Sequence, residues 1–292
     1  MSSTPLHIVI AGAGPAAQAL VRRLAGKTGP RPRGQAGFEG TITVLSNRDE
    51  CPEALLELAA LPQVSVRFGQ PASFIDSKAK VVTTVDGMDF AYDQLVIATG
   101  SAPALPPVTG AYCGLNYSTI DDAGAIGEAV KEATRIVGRR PLGILVGTGP
   151  AAGQAEAVLR ARGVRPVRTT LRPSAVVPSL AGSPLPAAGI VFEDGSSMNG
   201  DLVVLAEERT ARTDLAESAG LALAHDGGIA VGRDLATSVP GIWAIGDAAS
   251  CDGLRLGLLL SAEASATLCA SGLLSGARVE VFGGAEGVQA AA

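Results

Sequence analysis

The chain has 292 residues, of which 47% are apolar and 17% charged, and its formal net charge is −5. That length suggests about two domains, the apolar fraction supplies a sizeable core, and the acidic balance gives no electrostatic case for nucleic acid. No basic-then-apolar pattern opens the chain, and the longest apolar stretch, residues 254–274, is interrupted by Arg255, Glu263 and several serines, so a cytoplasmic protein without a membrane span is expected.

Ile8-Val9-Ile10-Ala11 reads as a buried strand, and Gly12-Ala13-Gly14-Pro15-Ala16-Ala17 as a glycine turn running into a helix. Gly12 permits the tight turn. Gly14 lets backbone N–H groups approach a pyrophosphate, and Ala17 is small where the pattern usually carries a third glycine. The helix N-terminus offers unpaired N–H groups to phosphate, and Pro15 suits its first position. A glycine turn between any strand and helix looks the same in isolation.

Residues 27–40, rich in Gly, Pro and Arg, read as a loop, and 41–45 as the second strand. A dinucleotide fold usually places an acid for the ribose hydroxyls at the end of that strand. Here Asn47 falls closest to the place, with Asp49 and Glu50 beyond, so the ribose site is weakened. A short helix is expected at 52–61, a strand at 64–68, and a small meander at 72–76, 80–85 and 89–92 with its turn at Asp86-Gly87. Gln94 to Ile97 form a buried strand closed by Ala98-Thr99-Gly100-Ser101, and the proline-rich 103–110 reads as a crossover between domains.

After a helix over 120–137, Leu142 to Ala152 repeat the first layout, down to Gly147-Thr148-Gly149-Pro150-Ala151-Ala152. Two such units in one chain point to two nucleotide-binding domains. The second unit's next strand, 165–172, ends in Arg172; with Arg168 it suits the 2′-phosphate of NADP, and an arginine on a solvated surface is the equal alternative. Residues 173–188 show no helix period, and strands resume at 190–192 and 202–205. The last buried strand, 241–245, ends in Gly246-Asp247. Asp247 reads either as a ligand for a sugar or polyol hydroxyl beside the pyrophosphate or as the N-cap of a helix over 258–274.

Cys51, Cys113, Cys251 and Cys269 form no Cys-x-x-Cys pair, so neither zinc nor a redox disulfide is written locally. His7 opens the first strand and His225 lies in a turn, which argues against a Ser–His–Asp or multi-histidine metal site.

Gly12-Ala13-Gly14-Pro15, Ala98-Thr99-Gly100-Ser101, Gly147-Thr148-Gly149 and Thr237-Ser238-Val239-Pro240-Gly241-Ile242-Trp243-Ala244-Ile245-Gly246-Asp247 occur in that order. The combination resembles the two-dinucleotide-domain flavoproteins of the pyridine nucleotide-disulfide oxidoreductase superfamily. Tyr92-Asp93-Gln94, Ser118-Thr119-Ile120-Asp121-Asp122-Ala123 and Ala248-Ala249-Ser250 are similar to the flavoprotein part of the NAD(P)H nitrite reductase large-subunit group. The resemblance implies FAD beside Gly12, Gly14, Pro15, Ala16, Ala17, Asn47, Ala72, Ala98, Thr99, Gly100, Gly246, Asp247 and Leu258. It implies NAD(P)H beside Gly147, Gly149 and Arg172, and a hydride passing from nicotinamide to flavin. It names no catalytic side chain and no metal.

Three departures stand out. The flavin-contacting segment is shortened to Cys51-Pro52-Glu53-Ala54-Leu55-Leu56, a helix and a strand are missing between Arg172 and Ile190, and the second Thr-Gly turn is replaced by Ala206-Glu207-Glu208-Arg209-Thr210. The expected architecture is α/β, with two Rossmann-like dinucleotide-binding domains. A discontinuous FAD domain spans 1–122 and 228–292, around a reduced NAD(P)-binding-like domain at 123–227. The expected function is an FAD-dependent oxidoreductase fed by NAD(P)H and delivering electrons to an unnamed small molecule or acceptor. The alternatives are a flavoenzyme reduced by its own organic substrate and a non-catalytic subunit of a flavoprotein complex. A homo-oligomer or partner subunit is expected to cover the edge at residues 51–56.

Overall fold

The structure, a computed structural model, describes residues 5–26, 38, 40–49, 53–104, 108–179, 185–206 and 208–282. The first half of the chain forms β1 (Leu6–Ala11), α1 (Pro15–Leu24), β2 (Gly40–Leu45), α2 (Glu53–Ala59), β3 (Val64–Arg67), β4 (Ala72–Asp76), β5 (Val81–Thr84), β6 (Asp89–Ala91), β7 (Gln94–Ile97), β8 (Ser101–Pro103), β9 (Leu115–Asn116), α3 (Ala123–Val137) and β10 (Leu142–Val146). It continues with α4 (Gly149–Ala161), β11 (Arg165–Thr169), β12 (Pro173–Pro178), β13 (Ala187–Phe192), β14 (Ser197–Asn199), β15 (Leu202–Leu205), β16 (Arg209–Ala211) and α5 (Asp214–Ser218). The last elements are β17 (Ile229–Ala230), β18 (Ile242–Ala244), β19 (Ala249–Cys251), β20 (Leu254–Arg255) and α6 (Ala262–Phe282). Two compact units result, Met1–Ser101 with Ala211–Ala292, and Ala102–Thr210. Residues 102–122 and 211–227 thus fall on the other side of the division from the boundaries expected at 122/123 and 227/228.

The first unit is built on a parallel sheet of order β18-β7-β1-β2-β3. Its strands are near-continuous apolar runs because both faces are covered; Ile8, Val9, Ile10, Leu95, Val96 and Ile97 are all fully buried. The strand order reverses at β1, with β2 on one side and β7 on the other, which makes the carboxyl ends of β1 and β7 the switch point of this sheet. α1 starts at Pro15, ends over Arg22 and Arg23, and buries Ala16, Ala17, Leu20, Val21 and Leu24, so its small face lies close to the sheet. α6 packs against α1. Trp243 of β18 lies against α6, where a Cβ on Gly272 would sit 2.5 Å from the indole ring, and its Nε1 donates to Gln94 Oε1 at 2.9 Å. The meander β4-β5-β6 is present as expected, with its turn at Asp86-Gly87.

The second unit carries a parallel sheet of order β11-β10-β15-β9 and an antiparallel meander β12-β13-β14. Asp122 anchors the start of α3 by accepting from the Ser118 and Thr119 N–H groups, and Gly138 at φ +63° ends the helix. No helix occurs between β11 and β13 among the described residues, but a strand does: Pro173–Pro178 is β12. This corrects the expected loss of both elements. Prolines occupy the two ends of β12, where a missing N–H is tolerated, and only Val176 is buried, so neither composition nor alternation marks the strand.

Candidate dinucleotide sites

The first glycine turn leaves β1 at Gly12, whose φ is +119°. A Cβ there would lie 2.1 Å from the Ala98 carbonyl oxygen at the end of β7, so Gly12 is required twice, by its backbone angle and by close approach. Gly14 differs. Its φ of −74° suits any residue, and a Cβ there would meet nothing within 4 Å. Gly14 is also the N-cap of α1 and, having no side chain, makes no side-chain cap. Ala16 is small because Gly246, at φ +67°, comes close: a Cβ on Gly246 would sit 3.1 Å from the Ala16 Cβ. Gly100, at φ +70°, also has nothing within 4 Å of its Cβ position. The Gly100 turn is held from the side, since Thr99 Oγ1 donates to the Arg212 carbonyl at 2.8 Å and Arg212 N–H to the Gly100 carbonyl at 3.0 Å.

The fold therefore gathers Gly12, Gly14, Pro15, Ala16, Ala17, Ala98, Gly246 and Asp247 around the carboxyl end of the first sheet. Asn47 is exposed just beyond β2, Ala72 begins β4, and Leu258 is buried in a 3-10 turn, Leu256–Leu258. α6 starts at Ala262, not at 258, and Ser261 Oγ accepts from the Ala264 N–H as its cap. Asp247 is thus no helix cap. Its Oδ2 accepts from Ser101 Oγ at 2.7 Å and from Arg255 Nη1 at 2.8 Å. Residues 51 and 52 of the shortened segment, and 27–37 of the Arg-rich loop, lie outside the described residues; Leu55 and Leu58 of α2 point into the unit's own core.

The second turn repeats the backbone but not the space. Gly147, at φ +144°, lies against β15's end, its Cβ position 2.5 Å from the Ala206 carbonyl oxygen. Gly149, at φ +67°, opens α4, and Glu208 Oε1 lies 3.2 Å from its Cβ position. Thr148 Oγ1 donates to the same carboxylate oxygen. Arg168 is tied to the turn through the Gly147 carbonyl, at 3.3 Å, and to α4 through Glu156, at 3.5 Å, while Arg172 is exposed three residues past β11.

The sequence profile of the pyridine nucleotide-disulphide oxidoreductase family matches residues 6–169 and 150–267. The chain belongs to this family. Family members are oxidoreductases that use FAD and NAD(P)H. The chain is 28% identical over 250 residues to the nitrite reductase [NAD(P)H] large subunit of Klebsiella oxytoca, covering 73% of this chain and 25% of that protein. It is 28% identical over 218 residues to the assimilatory nitrate reductase electron transfer subunit of Bacillus subtilis, covering 67% and 28%. It is also 28% identical over 286 residues to the nitric oxide reductase FlRd-NAD(+) reductase of Aeromonas hydrophila, covering 87% and 73%. The chain thus spans about a quarter of the length of the first two relatives. Among solved structures, the covalent putidaredoxin reductase–putidaredoxin complex superposes with a TM-score of 0.54 at 21% identity, over 94% of this chain and 76% of that one. An NAD-dependent persulfide reductase from A. fulgidus gives 0.53 at 21%, over 97% and 60%.

In this pyridine nucleotide-disulphide oxidoreductase chain Cys113, Cys251 and Cys269 are free and buried, and Cys51 lies outside the described residues. The sequence assigned no site role to Ser101 and Arg255, which share Asp247 Oδ2, to Arg212, which steadies the Gly100 turn, or to Glu208, which faces the second turn. Arg255 carried a signal, as a lone cation inside an apolar run.

Proposed function

We propose that this chain is an FAD-dependent oxidoreductase that accepts a hydride from NAD(P)H and passes electrons to a separate acceptor. The carrying observation is the first turn, where Gly14 caps α1 with no side chain and open space lies in front of it. A diphosphate fits there by accepting from the free N–H groups of the first helical turn, favoured by the positive end of the helix. Gly100 leaves similar space at the end of β7. Ala16 and Ala17 keep the helix close to the sheet, and Asn47 offers an amide toward a ribose hydroxyl. Asp247 is the candidate acceptor for a polyol hydroxyl, with Arg255 and Ser101 fixing its carboxylate in place. FAD, when bound, supplies the two-electron chemistry; the chain's own residues bind and orient it.

The acceptor is proposed to be a partner subunit or a small molecule, a reading supported by the name of the Bacillus relative, an electron transfer subunit. No helix among the described residues is long and apolar enough to cross a membrane. A cytoplasmic setting belongs to the proposal, because free buried cysteines suit a reducing compartment. The test is optical. Purified protein is expected to show flavin absorption bands that bleach under anaerobic NADH or NADPH. Absence of flavin after reconstitution with FAD would refute the reading.

A further inference from the structure

The two glycine turns of this chain share a backbone plan and differ in what stands before them. At Gly14 there is nothing within 4 Å of the Cβ position; at Gly149 there is a carboxylate oxygen of Glu208, 3.2 Å away. The position of that carboxylate is built in from several directions. The Ala206 carbonyl occupies the space a Cβ on Gly147 would need, the Glu208 carbonyl accepts from Ala104 N–H at 2.9 Å, and Thr148 Oγ1 donates to Glu208 Oε1. Thr148 is the N-cap residue of α4, a helix of 13 residues, yet its hydroxyl makes no cap of its own helix. The negative charge beside the start of α4 is instead supplied by Glu208, and a carboxylate there is favoured by the dipole and the free N–H groups, as a phosphate would be.

We infer that Glu208 is the resident anion of the second turn, and that a pyridine dinucleotide binds there only when its pyrophosphate displaces the Glu208 carboxylate. This rests on the proposed use of NAD(P)H. Two like-charged groups do not share one helix N-terminus without cost, so Glu208 sets the affinity of the second unit for the electron donor and keeps it low. Glu208 is exposed, so solvent screens the repulsion and the penalty is moderate.

The experiment uses the FAD-loaded full chain and measures the Kd of NADH and NADPH by calorimetry at low salt. The proteins are wild type, Glu208→Gln, Glu208→Ala and, as a control for net charge, the exposed Glu57→Gln. Both Glu208 variants are expected to bind about ten-fold more tightly, the control to match wild type, and flavin content to be unchanged. Measurable but unchanged or weaker binding in the Glu208 variants overturns the role of Glu208 and leaves the donor assignment standing. Equal tightening in the Glu57 control reduces the effect to net charge and also overturns it. No binding of either nucleotide to any of the four proteins, with flavin retained, overturns the inference and the donor assignment together.

Discussion

Arg255 Nη1 lies 2.8 Å from Asp247 Oδ2, and the two side chains are only 9% and 12% exposed. Burying a single charge costs far more than burying a matched pair. Arg255→Met is therefore expected to lower the unfolding free energy by about 3–5 kcal/mol, because Asp247 loses its counter-charge. The double variant with Asp247→Asn is expected to cost less than the sum of the two single changes. Urea unfolding of the flavin-free protein measures both; strict additivity would show the pair to be uncoupled.

Gly12 and Gly14 separate folding from binding. Gly12→Ala drives a Cβ to 2.1 Å from a backbone oxygen at a φ of +119°, so a loss of about 3 kcal/mol or more is expected even without flavin. Gly14→Val meets open space. Its apoprotein is expected to keep nearly the wild-type Tm while its flavin content, read from the absorbance ratio of purified protein, falls sharply. Wild-type flavin content in Gly14→Val would remove this turn from the cofactor site.

Complete burial pushes the Cys269 thiol well above the usual thiol range. The folded protein keeps this group neutral while the unfolded chain ionises it, so its contribution is intact below about pH 8.5 and is lost as pH rises from there toward the folded value. Stability is expected to fall between pH 8.5 and 9.5 with a slope of at most about 1.4 kcal/mol per pH unit from this group. Cys269→Ala is expected to flatten that slope while lowering overall stability through the lost packing. An identical slope in the variant would assign it to other groups.

Arg168 and Arg172 bear on nucleotide choice. Arg168 is tied to Gly147 and Glu156, whereas Arg172 is exposed beyond the strand end. Arg172→Ala is expected to reduce any preference for NADPH over NADH by about 1 kcal/mol, roughly five-fold in the ratio of kcat/KM. A wild type that turns over both nucleotides equally would dismiss a 2′-phosphate contact.

The parallel sheets were legible because each central strand, such as Ile8 to Ala11 or Leu95 to Ile97, is an apolar run next to a glycine turn. Gly12 and Gly147 were legible for the same reason: the turn they form needs angles that few other residues adopt. β12 was not, because prolines stand at both its ends and only Val176 is buried, although its partner β13 is the next strand in sequence. The start of α6 was misplaced because Leu258, Leu259 and Leu260 look helical, whereas the cap at Ser261 is a short-range hydrogen bond with little trace in composition. Asp247 stood out as a motif residue, but Arg255 became its partner only through β19 and β20, which turn the chain back. Glu208 was visible as a departure from pattern; what it faces required the third dimension.

Trp243 is the only tryptophan in the chain, and its ring lies against the backbone of α6 at Gly272 while its Nε1 is held by Gln94. The first unit therefore carries the chain's one indole emitter at the joint between its central sheet and its last helix, selected by excitation at the red edge where tyrosine does not absorb. Detachment of that helix would wet the indole and shift its fluorescence to the red, even while the sheet stayed paired. A single optical channel thus distinguishes fraying of the C-terminal helix from collapse of the whole unit, with no label added.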